Sequence, residues 1–364
     1  MKTMLLVLLL CAVPVRVNSA SVGEETARLT QVSQLEEGLD EEESAVTGEM
    51  RLDGSYDARG ALARLWDRFL ALAEHQLRQE LRFALALLAI AFFGAFAAAL
   101  RPDQKTAEYI QIAVCCTAAL LLAGSVDSVV SQGAETLTRL SDYAKLSMPA
   151  FFSTVAVCGA AVSASVRYAA VTMAAELYMT LAQRLILPAI YAYLAIAVSS
   201  SIFDNAILKT ALRCAKWCAV TAMTLLTTVF CTYISLSGII SGSADAAAVK
   251  ATKTVVASVL PVVGGIVSDS ASTMLAAASM IKNSAGVFCL VAVCVLCCGS
   301  FALLSVKMLV LNAVSAVAEM AGGERLSRLL GNVGTAFGML LGLIGSFGVL
   351  LFLSVMSGIR MVNP

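Results

Sequence analysis

Residues 257–282, ASVLPVVGGIVSDSASTMLAAASMIK, are apolar enough to enter a bilayer. Yet they carry Pro261, the adjacent Gly264 and Gly265, and the polar cluster Ser268, Asp269 and Ser270. An ordinary spanning helix uses roughly 20 continuous apolar residues whose backbone hydrogen bonds close within the segment. A chain that interrupts itself at membrane depth must bury the irregular backbone in protein or line a wet cavity with it. The stretch therefore predicts a helical membrane domain packed around an irregular element. Composition agrees: 59% of the 364 residues are hydrophobic and 14% are charged, where a soluble domain carries about a quarter charged. The expected fold class is an all-α integral membrane protein with six to seven transmembrane helices, two of its segments being interrupted by Pro or Gly and read as broken or re-entrant.

A net charge of zero gives no electrostatic case for nucleic acid. His75 is the one histidine, and of the eleven cysteines all but Cys11 sit in or at the edge of apolar runs. The spacing of Cys294 and Cys297 fits redox or metal chemistry, but it also fits small apolar residues packed between helices, and no second such pair answers it. There is no nucleophile–base pair, phosphate-binding glycine loop or metal cluster in the sequence. The chain reads as non-enzymatic, with no cofactor and no metal.

Four regions follow in order. Residues 1–20, with Lys2, an apolar core and Ser19 and Ala20 at the end, read as a signal peptide; an uncleaved anchor is the alternative. Cleavage would place the mature N-terminus outside the cytoplasm. Residues 21–60 form an acidic extracytoplasmic linker, with Glu36, Glu37, Asp40, Glu41, Glu42 and Glu43 clustered and no apolar core, so disorder is expected. Residues 61–82 form an amphipathic helix: Leu62, Leu65, Trp66, Phe69, Leu70, Leu77 and Leu81 recur at helical steps, with Arg64, Arg68, Glu74 and Arg78 on the other face. Such a helix either lies in the membrane interface or docks a partner. Residues 83–364 form the polytopic domain, with spans expected at 83–100, 110–126, 185–202, 217–239, 287–306 and 334–359 and a polar connector at 127–145. Basic residues between spans (Arg101 and Lys105; Lys209, Arg213 and Lys216; Arg325 and Arg328) place those turns inside. Seven spans would follow if one broken segment crossed.

The halves of this domain are alike. Pro149 in LSMPAFFSTV resembles Pro261 in SVLPVVGGIV, and each is followed by a small-residue-rich segment, a span, a basic loop and a span ending in Ser-Gly-Ile. Duplication and chance similarity between alanine- and valine-rich helices both explain this; a duplication would pair two broken elements around a site. Charges inside or beside apolar runs are further candidates: Glu176, Arg184, Asp269, Lys282 and Lys307. Asp269 suits the N-cap of a helix over 270–281, while Arg184, Lys282 and Lys307 are near enough to span ends to snorkel. Gly334, Gly338, Gly342, Gly345 and Gly348 form a flat strip that predicts close helix packing, most simply within the chain.

The ordered set of motifs resembles the stage III sporulation protein AE family. It comprises Lys250-Ala-Thr-Lys253 leading to Val259-Leu-Pro261-Val-Val-Gly264-Gly265, then Ser268-Asp269 and Ile281-Lys282-Asn283. Ile186-Leu-Pro188, the Pro149 segment with Gly159-Ala-Ala-Val-Ser, and Gly322-Gly323-Glu324-Arg325 belong to it as well. The resemblance implies a subunit of a channel-like complex between mother cell and forespore, seated in the mother-cell membrane. It also implies partners, among them a cytoplasmic ATPase and ring-forming intermembrane proteins, and support for late forespore gene expression and forespore integrity. It supplies no catalytic residues. A stand-alone secondary transporter is the other reading, resting on the paired broken segments.

Overall fold

A computed structural model describes residues 39–47, 57–100, 104–203, 205–259 and 264–360, with side chains described except at 41, 42, 58, 104, 159, 160 and 237–281. All regular structure among them is helical. In chain order the elements are α1 (Glu41–Thr47), α2 (Ala58–Ala99), α3 (Gln104–Val155), a π-helical turn (Ala156–Ala160) and α4 (Ala161–Leu181). A second π-turn (Ala182–Ile186), α5 (Leu187–Ile202), α6 (Ala206–Val259), α7 (Gly264–Met320) and α8 (Glu324–Ile359) follow. Six stretches are long and apolar enough to cross a membrane: Arg59–Ala99, Lys105–Cys158, Ala161–Ile202, Ala206–Leu236, Lys282–Met320 and Glu324–Ile359.

The centre is the antiparallel pair α7 and α8. Along α8, Leu329, Val333, Ala336, Leu340, Leu343, Phe347 and Leu350 repeat at three- and four-residue steps and are all buried, one apolar face at helical period. Residues 288–293 of α7 are buried without a break, as expected of a helix surrounded by others. The glycine strip lies in this seam but does not bring two backbones together. It receives side chains instead: a Cβ at Gly334 would stand 3.1 Å from Asn312, at Gly338 3.5 Å from Met308, at Gly345 3.2 Å from Phe301 and at Gly348 3.5 Å from Cys297. Gly342 faces away from α7, 3.1 Å from Met223 of α6.

Helix α2 begins at Asp57, whose carboxylate accepts the N–H of Gly60 at 2.9 Å, an N-cap that satisfies one free donor of the first turn. It runs unbroken from the amphipathic stretch into the first apolar run, so residues 61–82 do not lie apart on a membrane surface. Ala61 and Leu65 pack with Val291 and Val295 of α7. The polar connector expected at 127–145 is also helix, continuous with the second apolar run in α3. Val129, Val130, Leu137, Leu140 and Ala144 supply its buried side.

Pro149 sits inside α3 rather than in a re-entrant break. The break comes one to two turns later, at the first π-turn, where the chain folds back. The rings of Phe152 and Tyr168 lie 6.4 Å apart, whereas sixteen residues of straight helix would separate them by about 24 Å. A proline removes one helical donor and crowds the preceding turn, and π-turns absorb such mismatches. The second π-turn stands where that rule puts it, in the turn before Pro188; the first lies after Pro149 and is not explained by it. The span expected at 185–202 is the second half of a longer helical arm, Ala161–Ile202, that runs on through Arg184. Within the stretch expected as an acidic linker, Glu41–Thr47 is a docked helix, with Val46 in the apolar cluster of α2 and α7; the leader at 1–20 and the linker residues 21–38 and 48–56 lie outside the described residues.

Pro261 lies outside the described residues. Helix α6 ends at Val259 and α7 starts at Gly264, so Gly264, Gly265, Ser268 and Asp269 occupy the opening turns of α7. Asp269 is inside that helix, not at its N-cap.

Candidate functional site

Three cations tie the bundle together, each by a different chemistry. At the end holding the basic turns, the chain passes from α7 to α8 through Gly322, whose φ of 82° is open to glycine. The N–H of Gly323 donates to Ala318 O at 2.9 Å and that of Gly322 to Glu319 O at 3.0 Å, the paired bonds of a Schellman C-cap. Arg325 then points back into the bundle. It donates to Ile202 O, the last residue of α5, at 2.8 Å and to Glu108 of α3 at 2.8 Å. Its side chain is 9% exposed, so a planar fork holds a helix C-terminus and a carboxylate at once. Gln111 adds a bond to Gly322 O at 3.3 Å. Beside this clamp opens a cavity of about 490 Å³ lined by Lys105, Glu108, Tyr109, Ile112, Phe203 and Arg325.

Lys307 does not snorkel. Its ammonium meets Glu80 of α2 at 2.6 Å, each side chain 12% exposed, and donates to Ser125 of α3 at 3.1 Å. One buried ion pair therefore joins α2, α3 and α7. Lys282 does not snorkel either. It is fully buried and donates to Ile359 O at 2.8 Å, at the C-terminus of α8, where the helix dipole favours a cation. The lock sits in tight packing: a Cβ at Gly286 would stand 2.5 Å from Ile359, and one at Gly358 2.5 Å from Phe151. Lys282 and the turn after Pro149 are thus brought to one end.

The other candidates stand apart. Glu176 is exposed on α4, its carbonyl accepting the Thr180 hydroxyl at 2.9 Å, and Arg184 is exposed below it. Arg167 is 7% exposed, with Nε and Nη1 lacking a hydrogen-bond partner among the described residues. The side chains of Ser268 and Asp269 lie outside the described residues. Sequence reasoning missed Glu80, Glu108 and Arg139. Arg139 of α3 pairs with Asp40, and with Glu43 at 3.3 Å, while Arg64 donates to Val46 O at 3.0 Å, so the short α1 is held across α2 and α3.

Such an arrangement defines a polytopic helical membrane protein whose buried polar groups bind helix to helix. The family described as stage III sporulation protein AE matches residues 53–360, and the chain belongs to it. A role in stage III of sporulation follows. The chain is 19% identical over 223 residues to the stage III sporulation protein AE of Bacillus subtilis strain 168, covering 61% of this chain and 56% of that relative. The matched part is little more than half the relative's length. No solved structure matches.

Proposed function

We propose that the protein is a non-enzymatic membrane subunit of a channel or secretion-like complex that links mother cell and forespore. In that role it supports late forespore gene expression and forespore integrity. It sits in the mother-cell membrane around the forespore, with its N-terminus extracytoplasmic after loss of the leader. The observation that carries the reading is the family match, which extends over the whole six-helix bundle. The arrangement of the ends supports the orientation. Arg325 draws together α3, α5 and α8 at the basic turns, the end expected in the cytoplasm. A cytoplasmic ATPase would approach this end and ring-forming intermembrane proteins the other.

Purification of the tagged protein from sporulating cells tests this. Recovery of the ATPase and ring-forming proteins with it, together with a sporulation block on its deletion, is the expected result. Purified protein that moves a solute across liposomes unaided, in cells where no such partners are recovered, would replace this reading with a stand-alone permease.

A further inference from the structure

At one depth the bundle shows two different surfaces. Gly133 of α3 abuts Leu340 and Gly342 abuts Met223 of α6, while the Tyr178 hydroxyl of α4 meets Leu343 O and Ser346. These contacts place residues 133, 178 and 223 in one cross-section through α8. On the α4 and α6 side of that section, Met173, Leu177, Val220, Leu225 and Val229 are exposed, a lipid-facing set interrupted by Glu176 and by Thr180, Thr224 and Thr228, two of whose hydroxyls bond back to their own helix. On the α3 side every exposed residue from 127 to 145 is polar, among them Ser131, Glu135, Thr138, Asp142 and Lys145.

Helix α2 carries both surfaces. Trp66, Leu70, Leu77 and Leu81 are exposed along one face, and that face continues into Leu85, Phe92 and Phe96 of the apolar run. Around the helix from it, Arg64, Asp67, Glu74, Arg78 and Arg82 are exposed. Between α2 and α3, α7 is open at Gly299, where a Cβ would meet nothing within 4 Å; by helical angle Gly299 falls between Val295, which packs on α2, and Ser300, which bonds Thr136 of α3. The groove so formed ends at the Lys307 and Glu80 pair on one side and at α1 on the other, where α1 is tied to Arg139 and Arg64 and seats Val46 on Val291 and Val295 of α7.

We propose that this groove between α2 and α3 is a water-filled vestibule at bilayer depth, open sideways between the two helices beneath α1 and floored by Lys307, Glu80 and Ser125, and that it is the face this chain turns toward the aqueous pathway of its assembly. Lipid contact is prohibitive for so many charged groups, and non-lipid surfaces at membrane depth face water or protein. Acids and bases are balanced along it, which suits polar solutes of either sign. The apolar stripe on α2 supports this depth, because it carries the lipid face of the apolar run up to Trp66. The inference deepens the proposed channel role and fails separately from it, since a subunit can keep its partners and still have a dry groove.

Cysteine accessibility of the full chain in liposomes, with native cysteines replaced, tests it. A charged, membrane-impermeant thiol reagent should label Asp67→Cys, Gln79→Cys, Ser131→Cys and Thr138→Cys at least about tenfold faster than Leu70→Cys, Leu77→Cys, Leu225→Cys and Val229→Cys. Equal fast labelling of Leu70→Cys and Leu77→Cys would put this half of α2 outside the bilayer and overturn the proposal. Labelling of the polar positions as slow as that of Val229→Cys would overturn it by showing a dry surface. Should the cysteine-free chain not accumulate, hydroxyl-radical footprinting of the native chain reads the same pattern: His75 modified and Leu77 protected, against both modified or both protected.

Discussion

The α4 and α6 side of the bundle and the α2 and α3 side span similar lengths of helix but answer to different surroundings. The first is what hydropathy leads one to expect, with exposed Met173, Leu225 and Val229. The second is built like the outside of a soluble helical protein, with a buried apolar face and a polar exposed one. It is nonetheless fastened to the same core, by Lys307 and Glu80, by Thr136 and Ser300, and by α1. The difference teaches that an amphipathic helix can belong to a membrane domain without lying on its surface, provided its polar face has water to meet.

The largest expected effects come from unfastening the polar side. Lys307→Met leaves Glu80 buried without its partner and should lower stability by about 3–5 kcal/mol. The double change Glu80→Gln with Lys307→Met should recover much of that loss, both measured by unfolding in mixed micelles. A single-variant loss below about 1 kcal/mol would mean that the pair holds α2 only weakly. Packing at the Lys282 end comes next. Gly358→Leu drives a side chain into Phe151 and should cost about 1–3 kcal/mol, against a smaller effect for Gly348→Ala beside Cys297. Arg325→Lys keeps the charge but cannot reproduce the fork to Ile202 O and Glu108; a loss of about 1–2 kcal/mol is expected, with faster proteolysis at the basic turns. Smallest are the exposed positions: Ser131→Ala and Leu225→Ala should each stay within about 0.5 kcal/mol, because the two surfaces differ in environment and not in packing.

Much of the fold was legible in the sequence. Apolar runs announced the helices, the basic turns fell between them, and the glycine strip marked the α7 and α8 seam. Averaged hydropathy hid the rest. Residues 127–145 look like a connector because polar residues outnumber apolar ones, yet Val130, Leu137, Leu140 and Ala144 keep a helical step and bury one side of α3. Leu39, Ala45 and Val46 are likewise a few apolar residues in an acidic run, too little signal for a docked helix. The partners of the buried cations were illegible for another reason. Glu80 and Lys307, or Glu108 and Arg325, meet only when the helices pack, and nothing local to either residue names the other. Lys282 looked like a residue near a helix end, which is where snorkelling is expected; its actual partner is the end of a different helix.

Trp66 offers the most direct test of whether the two sides share one bilayer. The chain has two tryptophans, so Trp217→Phe leaves Trp66 as the only one. In liposomes containing brominated lipids, the fluorescence of Trp66 should be quenched, most strongly by bromines near the headgroups, and iodide in the buffer should quench it poorly. Strong iodide quenching with no effect of brominated lipid would place Trp66 in water beyond the membrane, and the polar side of the bundle would then be an ordinary extramembrane surface.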